Sequence, residues 1–209
     1  MVKHLIFDLD GTLVDSAPAI LECFKSVLAK HEIQPSVEVN EKLIGPPLDE
    51  SIKRITGIVD ECKIGLLMHS FKDIYDGTAC LETIQYGDFT YVLETLVARG
   101  YFLSIATNKR YTPTMSVLNS LGWMDLFHKI FSCDVPSGRY TDKTGMLSEL
   151  IKDLAVDNAE CVYVGDTLLD KKAALHNNIR FYAVGWGYGA FDSSERAFSA
   201  PEELLVEFL

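Results

Sequence analysis

Two aspartates one residue apart, Asp8 and Asp10, follow the apolar run Leu5-Ile6-Phe7 and precede Gly11. A run of that length reads as a short buried strand, and the glycine marks where strand gives way to loop. Carboxylates at the carboxyl end of a buried parallel strand stand on the sheet edge where open α/β proteins put their ligands. One of them can attack an electrophile while its neighbour moves protons. An isolated Asp-x-Asp is equally well explained as a turn or as a cap on the next helix, so the pair needs company to mean chemistry. It has company. Thr107-Asn108 ends the run Phe102 to Ala106, Asp166 and Asp170 follow the run Cys161 to Val164, and Lys143 stands just before a helical stretch. Parallel strands end on one edge, so residues this far apart in the chain can meet there. Asp8, Asp10, Asp166 and Asp170 in one partly buried cleft repel each other unless some are protonated or a cation lies among them. Hard oxygen donors that leave room for water suit Mg²⁺ better than zinc, and no His or Cys falls within these motifs.

The elements that must position these groups are legible from periodicity. Ile20, Leu21, Phe24, Val27 and Leu28 line one helical face. Gly45-Pro46-Pro47 is a rigid break before a helix from Leu48 to Ile55. Asp60 is placed to cap another, through Leu66, Leu67, Phe71 and Ile74, ending near Gly77. From Asp88 onward, helices alternate with apolar runs, which is the pattern of a parallel sheet. Helices are expected over Tyr91 to Ala98, through Met115, Leu118 and Leu121, and through Leu147, Leu150, Ile151 and Leu154. Strands are expected at 102–106, 129–132, 161–164 and 180–184, and a last short helix at Pro201.

The stretch Phe7-Asp8-Leu9-Asp10-Gly11-Thr12-Leu13-Val14-Asp15-Ser16 resembles the first motif of the haloacid dehalogenase superfamily in its phosphatase form. Thr107-Asn108, Lys143 and Gly165-Asp166-Thr167-Leu168-Leu169-Asp170 recur in the order that superfamily uses, so the resemblance spans nearly the whole chain. It implies an α/β fold: a Rossmann-like, doubly wound parallel core formed by residues 1–15 and 85–209, with a helical cap inserted at 16–84. It also implies a phosphomonoester hydrolase in which Asp8 becomes an aspartyl-phosphate. Asp10 would protonate the leaving oxygen and then take a proton from water. The Thr107 hydroxyl and the Asn108 amide would hold phosphoryl oxygens, and Lys143 would orient Asp8 and offset charge. Mg²⁺ would sit on the Asp8 and Asp166 side chains and the Asp10 carbonyl, with Asp170 in support.

Lys143 is followed by Thr144-Gly145 where relatives often carry proline, and Lys171-Lys172 and His176-Asn177-Asn178 stand where small residues and a glycine are usual. Leu43-Ile44-Gly45-Pro46-Pro47-Leu48, Thr107-Asn108-Lys109 and Trp186-Gly187-Tyr188-Gly189 are similar to the phosphoglycolate-phosphatase-like members. A β-phosphoglucomutase-like phosphosugar mutase is the alternative enzyme. A non-catalytic regulator on the same fold is the alternative from another class, and retention of every acid speaks against it.

Composition sets the outer bounds. At 209 residues with 48% hydrophobic and 23% charged residues, the chain can bury a substantial core. A formal charge of −11 argues against nucleic acid and anionic membranes as partners. The partner that the resemblance implies is a small phosphorylated metabolite. Cys23, Cys62, Cys80, Cys133 and Cys161 are odd in number and scattered, which favours reduced thiols over disulfides or structural zinc. The first strand begins within a few residues of the N-terminus, leaving no room for a signal peptide, so a cytoplasmic protein is expected. Its protein partners would be none or a second copy, making it a monomer or homodimer.

Overall fold

The computed structural model describes residues 2–134, 140, 142–189, 191 and 197–208. Six strands form one parallel sheet: β1 (His4–Phe7), β4 (Phe102–Thr107), β5 (Phe127–Ser132), β6 (Cys161–Gly165), β7 (Arg180–Val184) and β8 (Ala197–Phe198). Their order across the sheet is β5-β4-β1-β6-β7-β8. The winding direction therefore reverses at β1, which lies between β4 and β6. In parallel α/β sheets such a switch point opens a crevice at the carboxyl edge. Phe7 is level with Ile105 on one side and Val164 on the other. The residues that follow them, Asp8, Thr107 and Asp166, consequently emerge on the same edge.

Side-chain alternation divides the core into two faces. Leu5, Phe7, Leu103, Ile105, Val162 and Val164 pack into one cluster with α4 (Phe89–Ala98) and α5 (Tyr111–Ser120). Ile6, Ala106, Cys161 and Tyr163 point the other way, onto Met146, Leu147 and Leu150 of α6 (Lys143–Leu154) and Ala173 and Ala174 of α7 (Leu168–His176). Both faces of the central strands are covered, which is why they read as unbroken apolar runs.

Between β2 (Val14–Asp15) and β3 (Ile84–Gln85) the chain runs through α1 (Ala17–Lys30), α2 (Leu48–Thr56) and α3 (Glu61–Tyr75). Their apolar faces meet around Phe24, Ile52, Ile55, Ile64, Leu67 and Phe71. Gly57 closes α2 at φ +68, and the Asp60 side chain accepts from the Lys63 N–H at 2.8 Å to open α3. The left-handed residue and the carboxylate cap satisfy helix ends that would otherwise be bare. β2 and β3 pair antiparallel, so the outgoing and returning connections run side by side.

The sequence expectations need three adjustments. Lys143 is the first residue of α6, not a residue ahead of it. The last helix, α8 (Glu203–Phe208), starts after Pro201 rather than on it. The two-residue strands β2, β3 and β8 carry too little periodicity to be read in advance. Among the described residues, no helix is long and apolar enough to cross a membrane, and all five cysteines are free thiols.

Candidate active site

Asp8 leaves β1 with only 3% exposure, and its N–H donates to the Val164 carbonyl at 2.9 Å. The Lys143 ammonium lies 2.8 Å from Asp8 Oδ1 and 2.5 Å from Asp170 Oδ1. Lys143 can reach both because α6 begins there: the Asp142 carboxylate caps the helix through the Gly145 N–H at 2.8 Å. Asp170 is fully buried and built into α7 by a reciprocal capping box with Thr167. Its Oδ2 accepts from the Thr167 N–H at 2.9 Å and from the Thr167 hydroxyl at 2.5 Å. The Tyr163 hydroxyl stands 3.1 Å from Asp170 Oδ1 and 2.9 Å from the Ala106 carbonyl.

Asp166, also fully buried, is wrapped by the segment that follows the neighbouring strand β7. Its Oδ2 accepts from the Tyr188 N–H at 2.8 Å, and its Oδ1 lies 3.3 Å from the Thr12 hydroxyl. A Cβ on Gly187 would overlap the Asp166 Cβ and the Gly11 carbonyl, and one on Gly189 would overlap the Asp166 carbonyl. Only glycines let this backbone come so close. The same segment reaches β2 and the start of α1. The Trp186 indole donates to the Thr12 carbonyl at 3.0 Å, and the Tyr188 hydroxyl accepts from the Ser16 N–H at 2.7 Å.

Ligand atoms of Asp8, Asp166 and Asp170 all lie within 4.8 Å of one another. Burial, reinforced by Asp170 and Asp166 and opposed by Lys143, pushes the Asp8 carboxyl up to about 8. Burial and Asp170 raise Asp166 to about 6. Burial works against the Lys143 ammonium, but Asp170 and Asp8 outweigh it and hold its pKa above the usual lysine value. Three buried carboxylates thus face one another across a single ammonium group.

Asp10 belongs to a different set. Its side chain is not part of the three-carboxylate cluster; it is engaged by Lys109, whose Nζ stands 2.9 and 3.3 Å from its two oxygens. Lys109 is almost wholly buried and also contacts the Tyr75 hydroxyl at 2.5 Å, with its ammonium 4.6 Å above the Tyr75 ring. Burial opposes the Lys109 charge too, and Asp10 and Tyr75 overcome it, so its pKa is raised. In the sequence Lys109 stands only as the last residue of Thr107-Asn108-Lys109, with no role of its own. Its signal was position, directly after Thr107-Asn108 at a strand end, and its partner Tyr75 ends the apolar face of α3.

Thr107 is buried, and its hydroxyl oxygen accepts from the Lys109 N–H at 3.1 Å. Asn108 does not cap a helix. Its side-chain amide donates to the Gly45 carbonyl at 2.8 Å, in the loop before α2. Arg110, next along, forms a two-pronged ion pair with Asp76 just past α3. Three consecutive residues at the end of β4 each grip the helical segment between β2 and β3.

The donor set fits a divalent cation. Asp8, Asp10, Asp166 and Asp170 face two buried ammonium groups, Lys109 and Lys143, leaving two formal negative charges without a counter-charge. All candidate donors are hard oxygens, the chemistry that selects Mg²⁺ over zinc.

Above Asp8 and Asp10 opens a cleft enclosing about 600 Å³ of empty space, its open mouth included. Thr107, Asn108, Lys109 and Arg110 line it on the sheet side, and Ile20, Phe24, Leu43, Ile44, Leu48 and Phe71 on the helical side.

Known proteins are similar to this chain in sequence and in fold. The family model described as haloacid dehalogenase-like hydrolase matches residues 5–184. A 5'-nucleotidase of Pseudomonas aeruginosa is 27% identical over 190 residues, covering 90% of this chain and 85% of that protein. A phosphoglycolate phosphatase of Cereibacter sphaeroides is 29% identical over 189 residues, covering 88% of this chain and 85% of that one. Among solved structures, a haloacid dehalogenase-like family hydrolase from Streptococcus pneumoniae superposes with a TM-score of 0.86 at 22% identity, covering 100% and 99% of the two chains.

Proposed function

The chain belongs to the haloacid dehalogenase-like hydrolases, and within that family we propose that it is a Mg²⁺-dependent phosphomonoester hydrolase of small phosphorylated metabolites. The observation that carries this reading is the convergence of Asp8, Lys143, Asp166 and Asp170 on one sheet edge, with Asp8 itself lining the cleft. Relatives named as phosphatases and nucleotidases over most of their length support it.

In this reading an Asp8 carboxylate oxygen attacks phosphorus, and the bond to the ester oxygen breaks. The departing oxygen takes a proton from Asp10, which Lys109 holds in place. The Thr107 hydroxyl, the Asn108 N–H and the Lys143 ammonium stabilise the phosphoryl oxygens, because phosphoryl transfer asks a protein mainly for positioning and charge. Asp10 then accepts a proton from the water that attacks the aspartyl-phosphate, releasing phosphate and restoring Asp8. Mg²⁺ held by Asp8 and Asp166, with the Asp10 carbonyl and Asp170 in support, would supply the positive charge that neutralises the transferring group. The helices between residues 16 and 84 would act as a cap that excludes bulk water during both steps.

Release of phosphate from an aryl phosphate tests the reading. Turnover should need Mg²⁺, stop on chelation and vanish in Asp8→Asn, whose amide is nearly isosteric but a far poorer nucleophile. Chelator-resistant turnover, or activity retained in folded D8N, would overturn it.

A further inference from the structure

The walls of the cleft say what kind of leaving group it is built to hold. Resting on the phosphatase reading above, we propose that the preferred substrate is a phosphate monoester with an uncharged, largely apolar body, and that a carboxylate-bearing ester such as phosphoglycolate is disfavoured.

The phosphate end is provided for by the charged floor. The opposite wall is made of Ile20, Phe24, Leu43, Ile44, Leu48 and Phe71, drawn from α1, α2, α3 and the loop before α2. Only two cationic side chains line the cleft among the described residues, Lys109 and Arg110, and both are already committed. Lys109 is held between Asp10 and Tyr75, and both terminal nitrogens of Arg110 lie on the Asp76 carboxylate. Lys72, one turn before Tyr75, does not line the cleft.

Two of the neutral donors on the cleft are committed as well. The Ser51 hydroxyl donates to the Leu43 carbonyl at 2.7 Å, and the Asn108 amide to the Gly45 carbonyl. A second anionic group on the substrate would therefore lose water to Phe24, Ile44 and Phe71 with no free cation to meet it. The alternative is to break a pair that ties the helical segment to the sheet. Burying an unpaired charge is among the costliest events in a protein interior, whereas an alkyl or aryl body gains from the same walls.

The discriminating pair is isobutyl phosphate and phosphoglycolate. Their bodies have nearly the same shape, and one ends in two methyl groups where the other ends in a carboxylate. With Mg²⁺-loaded wild-type protein, kcat/KM for isobutyl phosphate should exceed that for phosphoglycolate by about tenfold or more. Across methyl, ethyl, propyl and butyl phosphates, whose leaving alcohols have similar basicity, kcat/KM should rise about three- to fourfold per methylene. Leu48 is partly buried on the apolar wall at the start of α2, so Leu48→Lys adds a cation there without touching the floor. That variant should swing the ratio toward phosphoglycolate by at least about tenfold. A flat alkyl series, a wild-type preference for phosphoglycolate, or an unchanged ratio in folded L48K would each overturn the assignment while leaving the phosphatase reading intact. Failure to hydrolyse any ester, aryl phosphate included, would sink the phosphatase reading and this inference with it.

Discussion

Replacing Lys109 by Met removes one ammonium group while keeping most of the side-chain volume, and the structure sets how much should be lost. Asp10 would lose a partner at 2.9 Å, and the Tyr75 hydroxyl a partner at 2.5 Å, in a spot where the lysine side chain is 4% exposed. Breaking a buried pair by removing one member costs roughly 3–5 kcal/mol. Asp10 is 11% exposed and borders the cleft, so water can recover part of that, and about 2–3 kcal/mol is the reasonable expectation. For a chain of this length that is a fall of roughly 5–10 °C in Tm. Tyr75→Phe removes only the hydroxyl and should cost about 1 kcal/mol. If Lys109 also holds the proton-transferring carboxylate in place, kcat of K109M should drop about a hundredfold well below its Tm, with a smaller change in KM. Lys109→Arg should recover part of the loss. Urea unfolding of K109M, Asp10→Asn and the double variant would isolate the pair, with a coupling of about 2 kcal/mol expected. A folded K109M with kcat within threefold of wild type would refute the positioning role, and a coupling near zero would refute the ion pair.

Three further outcomes follow from the same geometry. Gly187→Ala should raise the Mg²⁺ concentration needed for half-maximal activity about ten- to a hundredfold, because the new Cβ drives into Asp166; Gly65→Ala, in open space on α3, should leave it unchanged. In metal-free protein, Asp8 and Asp166 titrate near 8 and 6 when folded, against 3.8 for an unperturbed aspartate. Carboxyl groups with raised folded values contribute stability that is full below about pH 4 and is lost as pH climbs through 6 to 8. Chelated protein should therefore lose Tm between pH 5 and 8, and the Tm gain from added Mg²⁺ should be larger at pH 8; a gain independent of pH would count against the site. Asp10→Asn should slow alkyl esters more than activated aryl esters in single-turnover phosphorylation, since a phenolate hardly needs an acid, and equal losses would remove Asp10 from that role.

Much of the sheet edge could be read from the chain because its information is local. An apolar run followed by a carboxylate is contiguous at Phe7-Asp8 and at Val164-Gly165-Asp166, and the parallel register brings such ends level without further instruction. Lys143 was legible as a member of the set but not as the first residue of α6, because Thr144-Gly145 after it reads as a break while Asp142 supplies the cap. Lys109 was hidden for a different reason. A lysine after a strand reads as solvated, and what buries this one is Tyr75, 34 residues earlier on a separate helix. The grip of Trp186 to Gly189 on Asp166 was equally opaque, since a glycine's use as empty space depends on what lies opposite it.

The same long-range pairings bear on how the helical segment can move. Three contacts tie it to the end of β4: Asn108 with Gly45, Lys109 with Tyr75, and Arg110 with Asp76. Asp10 and Lys109 both sit on the sheet side, so lifting the helices away would leave that pair whole and strand no buried charge. Opening would break two hydrogen bonds and one partly exposed ion pair, on the order of 2–4 kcal/mol together once water replaces them, in addition to the apolar packing that joins the segment to the core. In the cap reading proposed above, these contacts favour the closed cleft at rest, and opening would have to be offset within each turnover. An occupant of the cleft would add apolar contact to the wall residues beyond the packing they already have. An apolar body would therefore do two things at once, gaining affinity and holding the helices down over the carboxylates. A charged body would do neither.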